Sequence, residues 1–391
     1  MLKRSSVFRV KKSHWALSLI ILGISSIACK DLSKVKESEK SQVSTPLPEG
    51  SDLSLSAPTE EEFLGLQTLF ASMQLGRVTA TANAFSNGYH SGNSFDTEED
   101  QQVDQDFFND FWAGNYQNID QHIASFTNLA AKGNHPVTMA RLGFLNVWKF
   151  AERYRLIDTP GDLPEGIQAE LGPNLGACVE YFKAAEGMAP QNAVYKGFAA
   201  SCLYLTGLGP NGDANVLDAL KTSQTAIKLN PEFNLFTIGY ILTFFPHDSD
   251  QFKLGLEMFF RNLDLCFDGD IDRNNPDISS LIPLFVDEGN RKYCANSDKA
   301  PYNYQGFFLI LGDLLVKNGQ VEAAKAAYSN AKLLPSYATW PYASFLEDRL
   351  LAADGLVTPF RVPVDPMEKP NYPTTVFNTE FACMACHQKG E

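Results

Sequence analysis

The chain has 391 residues, 44% of them hydrophobic and 12% aromatic, which is enough apolar material for a sizeable core, and it carries a formal charge of −14. An acidic surface repels phosphate backbones and anionic headgroups, so nucleic acid is not an expected partner, whereas basic proteins would be steered toward it. No phosphate-cradling glycine loop, zinc-protease histidine pair or nucleophile elbow is present, which speaks against the common hydrolytic chemistries.

In chain order, Lys3, Arg4, Arg9, Lys11 and Lys12 precede an apolar run from Trp15 to Ala28 that contains no acidic residue. That arrangement predicts a secretory signal, and the run is too short and too one-sided for a permanent span. It ends in Ser26-Ile27-Ala28-Cys29, which resembles a bacterial lipobox, with Ser26 standing where leucine is usual. The resemblance implies cleavage after residue 28, lipidation of Cys29 and residence in the bacterial cell envelope, facing the periplasm. Lys30 directly after the cysteine, with Asp31 only next, favours the outer membrane. Loss of residues 1–28 removes five basic and no acidic groups, moving the formal charge to −19. Residues 29–58 are rich in Ser, Lys and Glu, with prolines at 46, 48 and 58, and read as a flexible tether reaching on the order of 30 Å.

From residue 59 onward, aromatic and aliphatic side chains fall at helical spacing, beginning with a capping box at Thr59 and Glu62, and no strand pattern competes. An all-α domain is predicted over residues 59–353. The acidic stretch Asp96, Glu98, Glu99, Asp100, Asp104, Asp106 and Asp110, interleaved with Phe107, Phe108, Phe111 and Trp112, reads as an amphipathic helix with a solvated acidic face. Phe308, Leu311, Gly312, Leu315, Gly319, Ala324, Tyr328 and Ala331, followed by Pro335, fit one pattern, and that pattern resembles a tetratricopeptide repeat. Weaker echoes occur at Met139, Leu142, Gly143 and Val147, at Ala177, Tyr181, Ala184 and Pro190, and at Ala219, Ala226 and Pro231. The resemblance covers residues 115–353, with insertions at 158–172 and 267–292. It implies a helical solenoid whose surface binds a protein partner, a redox protein being one candidate.

The tail, residues 354–391, has prolines at 359, 363, 366, 370 and 373 and is expected to run as an extended strap. It ends in Cys383-Met384-Ala385-Cys386-His387, the spacing of c-type haem attachment. Two thiols two residues apart can reach the two haem vinyl groups as thioethers, and the following histidine can donate an axial nitrogen to iron. Chance would give the pattern in roughly one chain in several hundred of this length. The motif resembles those of c-type cytochromes, which implies one covalent haem c held by Cys383, Cys386 and His387. Those proteins commonly take a distal methionine from farther along the chain. Here the candidates lie upstream: Met367 on the strap first, then His90, His122, His135 and His247. A redox disulfide between Cys383 and Cys386, or a metal site on both thiolates and His387, are competing readings. The first would want a helix start in a βαβ setting, and a structural zinc would want a fourth ligand.

With Cys29, Cys383 and Cys386 assigned, Cys178, Cys202, Cys266 and Cys294 remain, an even number suited to an oxidising compartment. Cys178 and Cys202 each stand twelve residues from Pro190, at equal height on two arms of a predicted helical hairpin, and are expected to pair. Cys266 and Cys294 would then close the inserted loop. The alternation of Asp268, Asp270, Asp272 and Asn274 lacks the glycine and glutamate of an EF-hand and reads as an acidic surface loop. Together these features predict a non-enzymatic, lipid-anchored single-haem electron carrier. The alternative is a repeat-scaffold lipoprotein that organises an envelope complex, and an open iron position would admit peroxidase-like or ligand-binding behaviour.

Overall fold

The computed structural model describes residues 95, 97–133, 135–207, 212–287 and 294–390. The signal, the lipidation site Cys29, the tether, the capping box at Thr59 and the candidate His90 lie outside the described residues. Among the described residues the fold is all-α, and no helix is long and apolar enough to cross a membrane.

The helices are α1 (Glu98–Ala113), α2 (Ile119–Lys132), α3 (Pro136–Ala151), α4 (Glu165–Met188), α5 (Ala193–Thr206), α6 (Gly212–Leu229) and α7 (Pro231–Leu242). They continue with α8 (Asp250–Cys266), α9 (Ile282–Asp287), α10 (Asn303–Asn318), α11 (Val321–Asn330), α12 (Ala343–Phe360) and α13 (Met384–His387). Their ends follow local chemistry. Thr97 caps α1 by accepting from the Asp100 amide at 3.1 Å, and three acidic residues occupy its positively polarised first turn. Pro136 and Pro231 stand in the first turns of α3 and α7, where a missing N–H costs nothing. Gly114 and Gly319 close α1 and α10 in the left-handed conformation that glycine adopts without strain.

Chain neighbours pack against one another: α3 on α4, α4 on α5, α5 on α6, α7 on α8 and α10 on α11, with α12 closing over α10 and α11. Small residues set the closest approaches. A Cβ on Gly312 would lie 2.1 Å from the Tyr328 ring, so the glycine of α10 and the tyrosine of α11 fit only as that pair. Gly143 of α3 meets Phe182 of α4 in the same way, a Cβ there falling 2.7 Å from the ring. The acidic stretch is indeed amphipathic: α1 buries Phe107, Phe108, Phe111 and Trp112, while Glu98, Glu99 and Asp106 face water.

Two sequence expectations shift. The insertion predicted at 158–172 is shorter, because α4 starts at Glu165 and carries Pro173 inside it. The turns before Pro173 are largely exposed, so water can satisfy the carbonyl left without a donor. Likewise α12 continues to Phe360 with Pro359 in its last turn, so the extended strap begins seven residues later than residue 354. Beyond it the strap is tied down along its length. Strand β2 (Glu368–Lys369) pairs antiparallel with β1 (Gly161–Asp162). Arg153 Nε donates to the Pro366 carbonyl at 2.9 Å, and the Val376 amide donates to the buried Asp313 carboxylate at 2.9 Å.

Both predicted disulfides form. Cys178 of α4 is bonded to Cys202 of α5, Cα atoms 5.9 Å apart, and Cys266 at the end of α8 to Cys294, Cα atoms 6.3 Å apart. Arg273 governs the acidic loop, with its guanidinium on Asp264 at 2.5 Å and on Asp270 at 3.6 Å.

Candidate haem-attachment site

The strap delivers α13 into the helical body, where groups far away in sequence hold it. Glu152, just past the end of α3, is fully buried, and one carboxylate oxygen accepts from the Cys383 amide at 2.9 Å and the Met384 amide at 3.0 Å. Its other oxygen accepts from Trp148 Nε1 at 3.0 Å and Arg155 Nε at 2.8 Å. These four donors satisfy a charge that burial alone would penalise. Desolvation pushes the Glu152 pKa up, while Arg155, Trp148 and the two amides oppose the shift. The turn is fixed on its other sides as well. Tyr240 donates its hydroxyl to the Ala382 carbonyl at 2.8 Å, Trp340 its indole N–H to the Ala385 carbonyl at 2.9 Å, and Tyr302 its amide to the Cys386 carbonyl at 3.0 Å. Gly306 of α10 leaves the room that Cys386 fills, since a Cβ there would lie 2.2 Å from the Cys386 sulfur.

Cys383, Cys386 and His387 all open onto one cavity of about 670 Å³. That volume lies within the roughly 300–1,000 Å³ typical of cofactor sites. Its walls are mainly aromatic and aliphatic, supplied by α1 (Phe107, Phe108, Phe111), α3 (Phe144), α5 (Phe198), α7 (Phe236) and the loop 295–300. His387 stands against Phe111, ring centroids 5.0 Å apart. Its Nδ1 lies 2.8 Å from the carbonyl of Lys299, an acceptor that fixes the proton on Nδ1 and leaves the lone pair on Nε2. Burial lowers the His387 pKa, so the neutral imidazole is the resting form. This is how ligating histidines are ordinarily oriented, with the far nitrogen donating to a backbone carbonyl.

Cys383 and Cys386 are unpaired thiols, and burial raises the pKa of both, that of Cys386 to about 12. A reactive redox cysteine is usually found in the opposite setting, an electropositive one that favours thiolate. Among the described residues no three His, Cys, Asp or Glu side chains gather as they would round a bare metal ion. The site fits a large, flat, apolar group anchored by two neutral thiols and one imidazole better than it fits a redox disulfide or a zinc ion.

Of the other suggested ligands, Met367, His122, His135 and His247 are not brought to this cavity, and His90 lies outside the described residues. Met367 packs, partly buried, against the cluster containing Tyr154, Leu163 and Phe377, and its carbonyl accepts from the Leu163 amide at 2.9 Å. The β1–β2 pairing beside it holds it there. His122 is buried against Asp110, Nε2 to carboxylate 2.8 Å. His135 caps α3, its Nδ1 accepting from the Val137 amide at 3.4 Å, and stacks on Phe95 with centroids 5.7 Å apart. His247 lies in the turn before α8 and is also absent from the cavity wall. Sequence reasoning missed Glu152, Lys299 and Gly306. No local signal marks them, because each acts through a contact across 80 or more positions, Glu152 across 231. Comparisons with protein-family models, with curated proteins and with solved structures return no match.

Proposed function

We propose that this chain is an exported, lipid-anchored, monohaem c-type cytochrome-like electron carrier. Cys383 and Cys386 would hold the haem through their sulfurs, and His387 would hold it through Nε2. The haem, when bound, supplies reversible one-electron chemistry. The observation that carries this reading is the conjunction at His387: Nδ1 committed to the Lys299 carbonyl, Nε2 left for a ligand, and both thiols on the wall of the same aromatic cavity. The protein's own residues do the rest. Glu152 and Trp340 keep the attachment turn rigid, the phenylalanines exclude water, and the Lys299 carbonyl raises the basicity of the imidazole. Met367 has no role at the iron in this account. The close fit of Gly312 in α10 against Tyr328 in α11 supports a helical-repeat surface that docks a protein partner, while the N-terminal motif supports a lipid anchor at the envelope.

The test is a haem stain on a denaturing gel, using protein coexpressed with a c-type maturation system. Staining that survives denaturation in the wild type and vanishes in the double variant Cys383→Ala, Cys386→Ala is the expected result. A folded wild-type protein that never stains removes the electron-transfer reading and leaves a scaffold.

A further inference from the structure

Full charges on the described cavity wall are confined to Asp104, Arg141, Asp298 and Lys299. They gather at one place. The Arg141 guanidinium carbon lies 4.8 Å from the centroid of the Phe108 ring, and Lys299 Nζ lies 3.6 Å from the same centroid. Trp112, whose ring is 5.2 Å from that of Phe108, carries Lys389 Nζ 3.3 Å above it and Lys299 Nζ at 5.2 Å. Ser297 and Asp298 on the same loop are exposed, so this is where the cavity meets solvent. A chain of net charge −14 thus places Arg141, Lys299 and Lys389 at the rim of this apolar cavity, beside Asp104 and Asp298.

Arg141 is balanced there by Asp104, at 2.5 and 3.2 Å. Lys299 makes no direct ion pair with a carboxylate of the described residues: its half-buried ammonium rests on ring faces, with Asp104 and Asp298 acting on it from farther off. Ring faces recover only part of what an ammonium loses on leaving water.

We propose that Lys299 and Arg141 are the carboxylate-binding end of the cavity, and that they take the two propionates of the haem. This rests on the haem reading above. The cofactor is an apolar macrocycle with two carboxylates on one edge. Its carboxylates would be strongly penalised among Phe107, Phe111, Phe144 and Phe198, and stabilised at the part of the described wall that carries cations. Lys299 then orients the group at two points, through its carbonyl at His387 and through its ammonium at a carboxylate.

The experiment is low-frequency resonance Raman spectroscopy of the haem-loaded full chain, reading the propionate bending band in wild type, Lys299→Gln, Arg141→Gln, Lys299→Arg and, as a remote control, Lys325→Gln on α11. The band is expected to shift in Lys299→Gln and Arg141→Gln, to return toward its wild-type position in Lys299→Arg, and to stay in place in Lys325→Gln. Covalent staining should remain in all of them. A band unmoved in both glutamine variants, with haem still attached, overturns the clamp and leaves the haem reading intact. Should Lys299→Gln fail to fold, Arg141→Gln and Lys299→Arg decide on the same readout. A wild-type chain that takes no haem removes both proposals together.

Discussion

Replacing Glu152 by alanine strips four donors of their buried acceptor: the amides of Cys383 and Met384, the indole of Trp148 and the Arg155 guanidinium. Arg155 keeps its bonds to the carbonyls of Gly114 and Glu380, so the cost falls mainly on the other three. An orphaned buried donor costs about 1–3 kcal/mol, and breaking a buried ion pair about 3–5 kcal/mol in all. Partial rehydration of the space left behind places the expected loss at about 3–5 kcal/mol, a large fraction of the roughly 5–15 kcal/mol of a typical domain. Urea unfolding of the apoprotein followed by circular dichroism measures it, and Glu152→Gln should fall between alanine and wild type because it retains one acceptor oxygen. Covalent haem yield should drop in parallel, since the carboxylate fixes the turn that presents both thiols. A loss below about 1 kcal/mol with full haem attachment would refute the assignment of Glu152 as the anchor of that turn.

Gly306→Ala forces a methyl group into the Cys386 sulfur and should cost about 1–3 kcal/mol while lowering haem yield, both read on the same gels and melts. Removing the Cys178–Cys202 bridge by a double serine substitution should cost about 3.5 kcal/mol if the chain-entropy estimate applies, with the urea midpoint as the measure. Lys317 is buried on the carbonyls of Thr243 and Phe245, and desolvation lowers its pKa to about 8. Between pH 8 and its ordinary value near 10.5 the unfolded chain holds more protons at this site, so stability gains with rising pH there. Relative to Lys317→Met, the wild type should therefore gain about 2 kcal/mol from pH 8 to pH 10, and parallel curves for the two proteins would contradict this.

The all-α class was legible because helical periodicity is a local property, and the disulfides because Pro190 marks the centre of a hairpin whose arms carry Cys178 and Cys202. The Cys383–His387 pattern stood out in the sequence because it lies within five consecutive residues. Its surroundings did not. The cavity is assembled from α1, α3, α5, α7 and the loop after Cys294, and nothing in the spacing of Phe107, Phe144, Phe198 and Phe236 distinguishes rings lining a cavity from rings filling a core. Pro359 pulled the sequence reading the other way, suggesting a strap from residue 354 where the fold keeps α12 helical to Phe360. Met367 was attractive because it sits on the strap, but the β1–β2 pairing holds it against Tyr154 and Phe377 instead.

The central claim is that the buried Cys383–His387 turn carries a covalent haem, and intact-mass spectrometry of the full chain coexpressed with a c-type maturation system tests it most directly. The account predicts a mass increase of one haem per chain, lost when Cys383 and Cys386 are both replaced. A folded, helical protein whose mass shows no haem with both cysteines intact would contradict it.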